Sequence, residues 1–127
     1  MTRVITYGNF DLFHVGHVKL LRRARELGNE LYVGLSTDKF SSELKGKDCI
    51  IPYDDRKEIL KACKYVDVVI PEFTWEQKIF DIMTYEIDVF VMGDDWKGRF
   101  DYLNEYVKVI YLPRTENIST TMLKEKL

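Results

Sequence analysis

The sequence predicts an α/β fold of the Rossmann-like, doubly wound kind, with five parallel strands and helices on both faces of the sheet. Short apolar runs rich in Val, Ile, Leu and Tyr are bounded by turn residues. Longer segments of helical period separate these runs. Regular alternation of the two kinds of segment is typical of a parallel sheet covered by helices.

The strands and helices follow from this alternation. Strands are expected at residues 3–7, 31–36, 66–70, 89–92 and 107–112, where the apolar runs lie. Helices are expected at residues 17–27, 54–63, 75–85, about 100–106 and 119–126. Gly28 stands where a residue after the first helix is expected, and Asp54 or Asp55 can cap the second helix after Pro52. Residues 38–53 show no clear period, which predicts a functional or mobile loop.

Composition limits the classes of function. A chain of 127 residues without repeats or linkers predicts a single domain over residues 1–127. The formal net charge of -2, with basic and acidic residues interspersed, disfavours binding to polymeric nucleic acid. No apolar run approaches the roughly 20 residues needed to cross a bilayer, so no membrane contact is expected. Cys49 and Cys63 form no C-x-x-C pair, and without a secretory leader they are expected to be reduced in the cytoplasm.

The predicted fold indicates where a ligand would bind. In an open parallel sheet, ligands bind beyond the carboxyl ends of the strands, near the point where the strand order reverses. Four segments are expected at that edge: residues 8–16, 37–47, 93–96 and 113–120.

Both histidines of the chain lie in the first of these segments, GNFDLFHVGH, at residues 8–17. His14 and His17 are three residues apart, where a strand passes into a helix. A helix N-terminus carries partial positive charge and unpaired N–H groups, which attract phosphate, and Gly16 allows close approach of the backbone. Two imidazoles there can donate hydrogen bonds to phosphoryl oxygens and stabilise the charge of a leaving pyrophosphate.

Other interpretations of this segment are weaker. The pair can be structural, with one imidazole capping the helix and the other satisfied in the core. A zinc site would need Asp11 and a cysteine as further ligands, because the chain has no third histidine. Neither G-x-G-x-x-G nor G-x-x-x-x-G-K-[ST] occurs, so the dinucleotide and P-loop interpretations lose support.

The segment resembles the G-[TS]-F-D-x-x-H-x-G-H motif of the H-x-G-H nucleotidyltransferase superfamily. A second segment, RTENISTT at residues 114–121, resembles the R-T-x-G-I-S-T-T motif of its cytidylyltransferase branch. The resemblance extends over nearly the whole chain and is greatest to members that use glycerol 3-phosphate. It implies a small, homodimeric, cytoplasmic enzyme that converts CTP and sn-glycerol 3-phosphate to CDP-glycerol and pyrophosphate with Mg²⁺, for wall or capsule polymers.

The resemblance also implies roles for individual residues. His14, His17, Lys47 and Arg114 would be catalytic, and Lys45 and Lys78 would bind the phosphorylated alcohol. Asp11 would orient the loop. The contacts to CTP would come from Asn9, Phe10, His14, Gly16, His17, Lys47, Arg114, Thr115, Ile118, Ser119, Thr120 and Thr121.

Two further residues are expected to contact substrate. Arg56 offers a planar fork suited to phosphate, although on a helix it can instead pair with a nearby carboxylate. Asp38 follows the second predicted strand and is also expected to bind substrate. Lys45 and Lys47 can also serve only the solubility of a loop, and Ser119 can be a simple N-cap.

Two positions depart from the family motifs. Asn9 stands where the family has Thr or Ser, which replaces a hydroxyl by an amide that can still donate a hydrogen bond. Asn117 replaces a glycine, and Asn tolerates positive φ better than other non-glycine residues.

Two rival functions stay open at this point. One is a cytidylyltransferase for another phosphorylated alcohol, such as a polyol phosphate or phosphocholine. The other is a catalytically silent nucleotide-binding or metal-sensing module.

Overall fold

The computed structural model describes residues 1–113, which contain one five-stranded parallel sheet. The strands are β1 (Arg3–Gly8), β2 (Glu30–Ser36), β3 (Val68–Glu72), β4 (Val89–Gly93) and β5 (Lys108–Leu112). The helices are α1 (Val15–Glu26), α2 (Asp38–Lys45), α3 (Tyr53–Ala62) and α4 (Gln77–Thr84). Short 3-10 helices cover Asp94–Trp96 and Asp101–Glu105.

The strand order is β3-β2-β1-β4-β5, so the chain reverses its direction of winding between β1 and β4. The sheet predicted from the sequence is confirmed, with five strands that are all parallel. This order places the reversal beside the end of β1, where the histidine segment begins. In doubly wound sheets such a reversal opens a crevice at the carboxyl ends of the strands.

The sheet has an apolar core on each face. On one face, Leu21 and Ala24 of α1 and Leu60 of α3 pack against Val4 and Val33 of the strands. On the other face, Ile82 of α4 and Leu103 belong to a cluster with Ile5, Phe90 and Phe100. Because side chains alternate along a strand, Val4 and Ile5 belong to opposite clusters. Helices therefore cover both faces, as predicted.

The segment 38–53 is not the continuous loop that the sequence predicted. Residues Asp38–Lys45 form α2, whose first turn is capped by the Thr37 hydroxyl, which accepts a hydrogen bond from the Phe40 N–H. Gly46 ends the helix at φ 70, a conformation that glycine adopts at low cost. The helix spans eight residues and buries few of them, so its apolar period is too short to detect.

Other boundaries differ in smaller ways. Residues 101–105 form a 3-10 helix where an α-helix was expected. Asp54 and Asp55 lie in the first turn of α3, and Pro52 occupies the cap position. β3 continues through Pro71, which an edge strand tolerates because one side of its backbone has no partner strand.

Part of the predicted secondary structure follows residue 113. The predicted helix 119–126, with the whole segment 114–121, lies outside the described residues. Within residues 1–113, no helix has the length and apolar character that a membrane span requires.

Candidate active site

A cleft of about 220 Å³ lies at the carboxyl ends of β1, β2, β3 and β4, where the strand order reverses. Three of the four segments expected there contribute to it, and the fourth continues beyond the described residues. Its polar and charged lining residues are Thr6, Tyr7, Asn9, His17, Ser36, Lys45, Glu72, Lys78 and Asp95. Its apolar walls include Phe10, Leu20, Leu44, Trp75, Trp96 and Phe100.

The loop between β1 and α1 is conformationally strained. Phe10 and Leu12 have φ values of 48° and 50°, in the left-handed region that non-glycine residues rarely adopt. Such positions cost about 1–3 kcal/mol each and persist only where the surroundings fix them. Phe10 is nevertheless buried, and its ring packs edge-on against the His17 imidazole with the ring centroids 5.3 Å apart. The strained backbone at Phe10 therefore places the Phe10 ring against the His17 imidazole.

Asp11, between these two residues, fixes the loop. Its carboxylate is fully buried and accepts hydrogen bonds from the backbone N–H groups of Leu12, Ile50 and Ile51. The last two distances are 2.9 and 3.0 Å. Asp11 thus joins the histidine loop to the segment that follows α2. This geometry agrees with the orienting role that the resemblance implied.

The two histidines cap α1 reciprocally. The His14 Nδ1 accepts a hydrogen bond from the Gly16 N–H at 3.0 Å, and the His17 Nδ1 accepts one from the His14 N–H at 3.2 Å. The imidazoles stack with ring centroids 3.9 Å apart. The arrangement has the logic of a capping box in which imidazole nitrogens replace the usual oxygens.

This capping assigns the tautomer of both rings. Each Nδ1 accepts a hydrogen bond, so in the neutral ring the proton is on Nε2, which is left to donate. Burial lowers the pKa of His14, and burial together with the charge of His14 lowers the pKa of His17 to about 3. At neutral pH both rings are therefore neutral Nε2–H donors. The structural role and the phosphate-binding role proposed for them are compatible.

The lysine segment lies close to the histidines. Lys45, the last residue of α2, lines the cleft and is exposed, and its charge contributes to the lowered pKa of His17. Lys47 is also exposed but is not among the lining residues. A lysine side chain on a loop can reach a ligand over several ångströms, so the structure brings Lys45 to the site and leaves Lys47 beside it.

Arg56 was predicted to contact substrate, but it is not among the residues that line the cleft. Its guanidinium is fully buried. It donates to the backbone carbonyls of Asn9, Ser36 and Ile51 and to the carboxylate of Asp38, the last at 2.6 Å. The alternative of pairing with a nearby carboxylate is the one observed.

Asp38 was also predicted to contact substrate, which stays a prediction, and its carboxylate binds two neighbouring protein groups. One carboxylate oxygen of Asp38 pairs with Arg56, and the other accepts from the Tyr53 N–H. Asp38 lies outside the cleft lining. Together, Arg56 and Asp38 hold the ends of β1 and β2 against the start of α3.

Asn9 uses its amide inside the loop. Its Oδ1 accepts from the Asp11 N–H at 3.2 Å, and its Nδ2 donates to the Ser41 hydroxyl at 3.3 Å. The residue therefore links the histidine loop to α2 while it lines the cleft. An Asx turn of this kind explains how an amide can replace the hydroxyl of the family motif without loss of the loop.

Lys78 is buried at the far side of the cleft. Its side chain is 2% exposed, and its Nζ donates to the Glu72 carboxylate at 2.6 Å. The Nζ lies 4.2 Å from the Trp75 ring centroid and 4.8 Å from that of Tyr7. Burial raises the pKa of Glu72, and the neighbouring Lys78 partly opposes this rise. Lys78 thus lines the cleft as one half of a buried ion pair, and its binding of the phosphorylated alcohol stays a prediction.

Sequence reasoning missed Glu72 and Tyr7. Glu72 lies at the end of β3, two residues beyond the predicted strand, and its place beside the cleft follows from strand pairing with Ser36. The Tyr7 hydroxyl donates to Asp81 at 2.7 Å. The available signal was the position of Glu72, two residues after the predicted strand and six residues before the candidate ligand Lys78.

A metal-binding site of protein ligands is not present in the described part of the chain. Among residues 1–113, no group of three or more His, Cys, Asp and Glu side chains could hold a metal ion. Cys49 and Cys63 are free thiols. The zinc interpretation therefore gains no support from these residues.

Comparison with known proteins identifies the family. The model of the Cytidylyltransferase-like family matches residues 5–126. The chain belongs to this family. Glycerol-3-phosphate cytidylyltransferase of Bacillus spizizenii is 58% identical over 127 residues, which cover 100% of this chain and 98% of the relative. The enzyme of the same name from Staphylococcus aureus is 54% identical. That alignment covers 100% of this chain and 96% of the relative.

A solved structure supports the fold. The lipopolysaccharide core biosynthesis protein of Thermoplasma volcanium aligns with a TM-score of 0.78 at 25% identity. The alignment covers 91% of this chain and 99% of that protein. The family and the sheet order thus agree with the Rossmann-like architecture predicted from the alternation of strands and helices.

The lowered pKa of His17 makes folding stability depend on pH. An unfolded histidine titrates near 6.5 and folded His17 near 3, so the unfolded state binds more protons between these values. The free energy of unfolding should therefore fall as the pH decreases from 6.5 toward 4. The fall due to this residue is at most about 1.4 kcal/mol per pH unit.

Urea denaturation at several pH values measures this effect. The matched variant is His17→Asn, whose amide oxygen can still accept the backbone hydrogen bond but does not titrate. Its stability should fall less steeply than that of the wild type. Parallel curves for the two proteins would contradict the lowered pKa.

Proposed function

We propose that this protein catalyses the reaction of CTP with sn-glycerol 3-phosphate to give CDP-glycerol and pyrophosphate. The observation that carries the proposal is the pair of neutral imidazoles, His14 and His17, at the N-terminus of a helix beside the cleft. Relatives that are 54–58% identical over the whole chain bear the name of this activity. The family, the site chemistry and these relatives support the same reaction.

The reaction needs no strong base. A phosphate monoester has its second pKa near about 6, so the acceptor is largely a dianion at neutral pH. One of its oxygens would attack the α-phosphorus of CTP in line, forming a new P–O bond as the bond to the β-phosphate breaks. The electron pair of that bond leaves with pyrophosphate. Catalysis then consists of bringing two anions together and stabilising the leaving group.

The histidines suit this task. Each Nε2–H would donate a hydrogen bond to a phosphate oxygen, and the hydrogen bonds would strengthen as charge develops on the leaving group. Because each Nδ1 is held by a backbone N–H, the rings are oriented before substrate arrives. The α1 N-terminus, with Gly16 in its first turn, would add the partial charge of the helix.

Further contacts to CTP are proposed from the family motif. Lys47 would contact the triphosphate, and Arg114 would stabilise the transition state. Thr115, Ile118, Ser119, Thr120 and Thr121 would complete the nucleotide site. These residues after Pro113 lie outside the described part of the chain.

Magnesium is proposed as a companion of CTP. The described residues supply no carboxylate cluster for it, and the carboxylate of Asp11 accepts several backbone hydrogen bonds. Mg²⁺ commonly keeps several water ligands and binds substrate phosphates. An ion held by the triphosphate oxygens and water fits this site, where it would neutralise charge on the leaving pyrophosphate.

A pyrophosphate-release assay tests the reaction. CTP with glycerol 3-phosphate should release pyrophosphate, and CDP-glycerol should be identified by mass. Ribitol 5-phosphate and phosphocholine test the alternative of another phosphorylated alcohol, and ATP tests the choice of base.

Chelation of Mg²⁺ by EDTA should abolish turnover, and added Mg²⁺ should restore it. Binding of CTP without turnover on any acceptor would favour the silent module instead.

Substitution of the histidines separates capping from catalysis. His14→Asn and His17→Asn retain an acceptor for the backbone hydrogen bond but lose the Nε2–H. We expect kcat to fall by at least about 100-fold in each, because a preorganised donor to the developing charge is worth that much. Thermal melts should stay near wild type for the asparagine variants and fall further for His14→Ala and His17→Ala. Turnover at the wild-type rate in either asparagine variant would refute the mechanism.

The assembly and cellular setting are also proposals. We expect a cytoplasmic homodimer that supplies CDP-glycerol for wall or capsule polymers. Three large apolar side chains, Phe73 directly after β3 and Phe80 and Met83 of α4, are 63%, 69% and 63% exposed, which is consistent with surface that a partner covers. Light scattering should give twice the chain mass, and a mass of one chain at micromolar concentration would contradict the dimer.

A further inference from the structure

The buried ion pair of Glu72 and Lys78 is placed to contact whatever fills the cleft. Both residues line the cleft, and their side chains are 4% and 2% exposed. The Glu72 Oε1 accepts from the Ser36 hydroxyl at 3.0 Å, and its Oε2 accepts from the Lys78 Nζ at 2.6 Å. The pair is therefore fixed in position before a ligand binds.

The pair retains hydrogen-bonding capacity. A carboxylate has about four acceptor positions, and Glu72 uses one for Ser36 and one for Lys78. An ammonium has three donors, and among the described residues Lys78 has two acceptors, Glu72 and the distant Trp75 carbonyl at 3.5 Å. Counting only partners within residues 1–113, one donor and two acceptor positions are left. A hydroxyl group, which donates and accepts, is the ligand group that matches such a combination.

Charge argues against a phosphate at this position. The two charges of the pair lie 2.6 Å apart and largely cancel, so the pair offers little attraction to a dianion. The Glu72 carboxylate would repel a phosphate oxygen brought beside Lys78. Lys45, in contrast, is exposed, lines the same cleft and has no carboxylate partner among the described residues. The anionic end of an acceptor is better served by Lys45 and the helix N-terminus.

Aromatic rings define the surroundings of the pair. The Lys78 Nζ lies 4.2 Å from the Trp75 centroid, 4.8 Å from Tyr7 and 5.6 Å from Phe100. Rings at these distances stabilise the ammonium and hold it in place. They also exclude water, which strengthens hydrogen bonds from the pair to a ligand. An apolar ligand group here would leave the polar atoms of the pair without new partners.

We propose that Glu72 and Lys78 select the acceptor by its hydroxyl groups, with Glu72 accepting and Lys78 donating to the two neighbouring hydroxyls of a glycerol moiety. Glu72 is then a specificity-determining residue of the site. The inference rests on the proposed function, since it assumes that the acceptor enters this cleft. It assigns the phosphate to Lys45 and the diol to the ion pair.

A pair of acceptors separates the two ends of the substrate. Propyl phosphate has the carbon chain and phosphate of glycerol 3-phosphate but no hydroxyl. The wild type should prefer glycerol 3-phosphate by at least about 100-fold in kcat/KM, because polar groups built for hydroxyls reject an analogue without them. Glu72→Gln should lower kcat/KM about 10- to 100-fold for glycerol 3-phosphate. The same change should alter the value for propyl phosphate less than about threefold, leaving KM for CTP unchanged.

Two control variants test whether the change in acceptor preference is specific to Glu72. Lys45→Ala should lower kcat/KM by a similar factor for both acceptors, as expected for a phosphate ligand. Asp81→Asn changes another buried carboxylate of the same region, one that accepts from Tyr7 and does not line the cleft. It should leave the ratio between acceptors unchanged. If Glu72→Gln fails to give a cooperative melt, Ser36→Ala replaces it, since it frees the Glu72 Oε1 while the ion pair is kept, and should reduce the ratio about three- to tenfold.

The outcomes are distinct. Equal losses for both acceptors in Glu72→Gln or Ser36→Ala would overturn the inference and leave the pair a structural element. A wild type that uses both acceptors equally well would overturn it too. In these cases production of CDP-glycerol by the wild type would still support the proposed function. If the wild type instead makes no CDP-glycerol, the proposed function fails, and with it the inference.

Discussion

The site depends on the buried carboxylate of Asp11. Its hydrogen bonds to Leu12, Ile50 and Ile51 compensate for a loop in which two residues adopt positive φ. The same carboxylate joins the loop that carries the histidines to the segment that follows the lysines. Without it, the strained backbone would have fewer native contacts to hold it, and three partly buried backbone N–H groups would lose their acceptor. Arg56 strengthens the same connection by donating hydrogen bonds to the Asn9 and Ile51 carbonyls.

The fixed loop explains why the histidines are neutral donors. Packing of Phe10 and Phe13 against His17 removes water from the ring, and that desolvation is the first cause of its lowered pKa. A charged imidazole would attract phosphate more strongly, but it would bind substrate and leaving group alike. A neutral donor held by its Nδ1 gains most when charge develops, which is the condition for lowering a barrier. The strain of the loop and the chemistry of the site are in this way connected.

The sequence predicted features that depend on local pattern. The parallel sheet, the position of the histidine segment at a strand-to-helix junction and the orienting role of Asp11 follow from periodicity and from the motif. It did not predict α2, because eight residues with few buried positions leave too short a period. The buried position of Arg56 was not predicted, because an arginine on a helix looks the same in sequence whether its fork faces solvent or three carbonyls from distant segments. Glu72 was missed because its relation to Lys78 and Ser36 arises from strand pairing across 36 residues, which no local pattern reports.

The cleft is divided by charge. At the α1 end, exposed Lys45, the His17 imidazole and the nearby helix N-terminus with His14 form a region suited to anions. At the β3 end, Glu72 cancels the charge of Lys78 and leaves a polar but neutral surface among aromatic rings. A phosphorylated alcohol has the same division, with an anionic end and a neutral hydroxylated end. If both ends of the cleft were cationic, the acceptor could bind in reverse, with its phosphate far from the α-phosphorus. On the proposed function, the buried carboxylate would disfavour that orientation by repulsion, which is a common source of specificity.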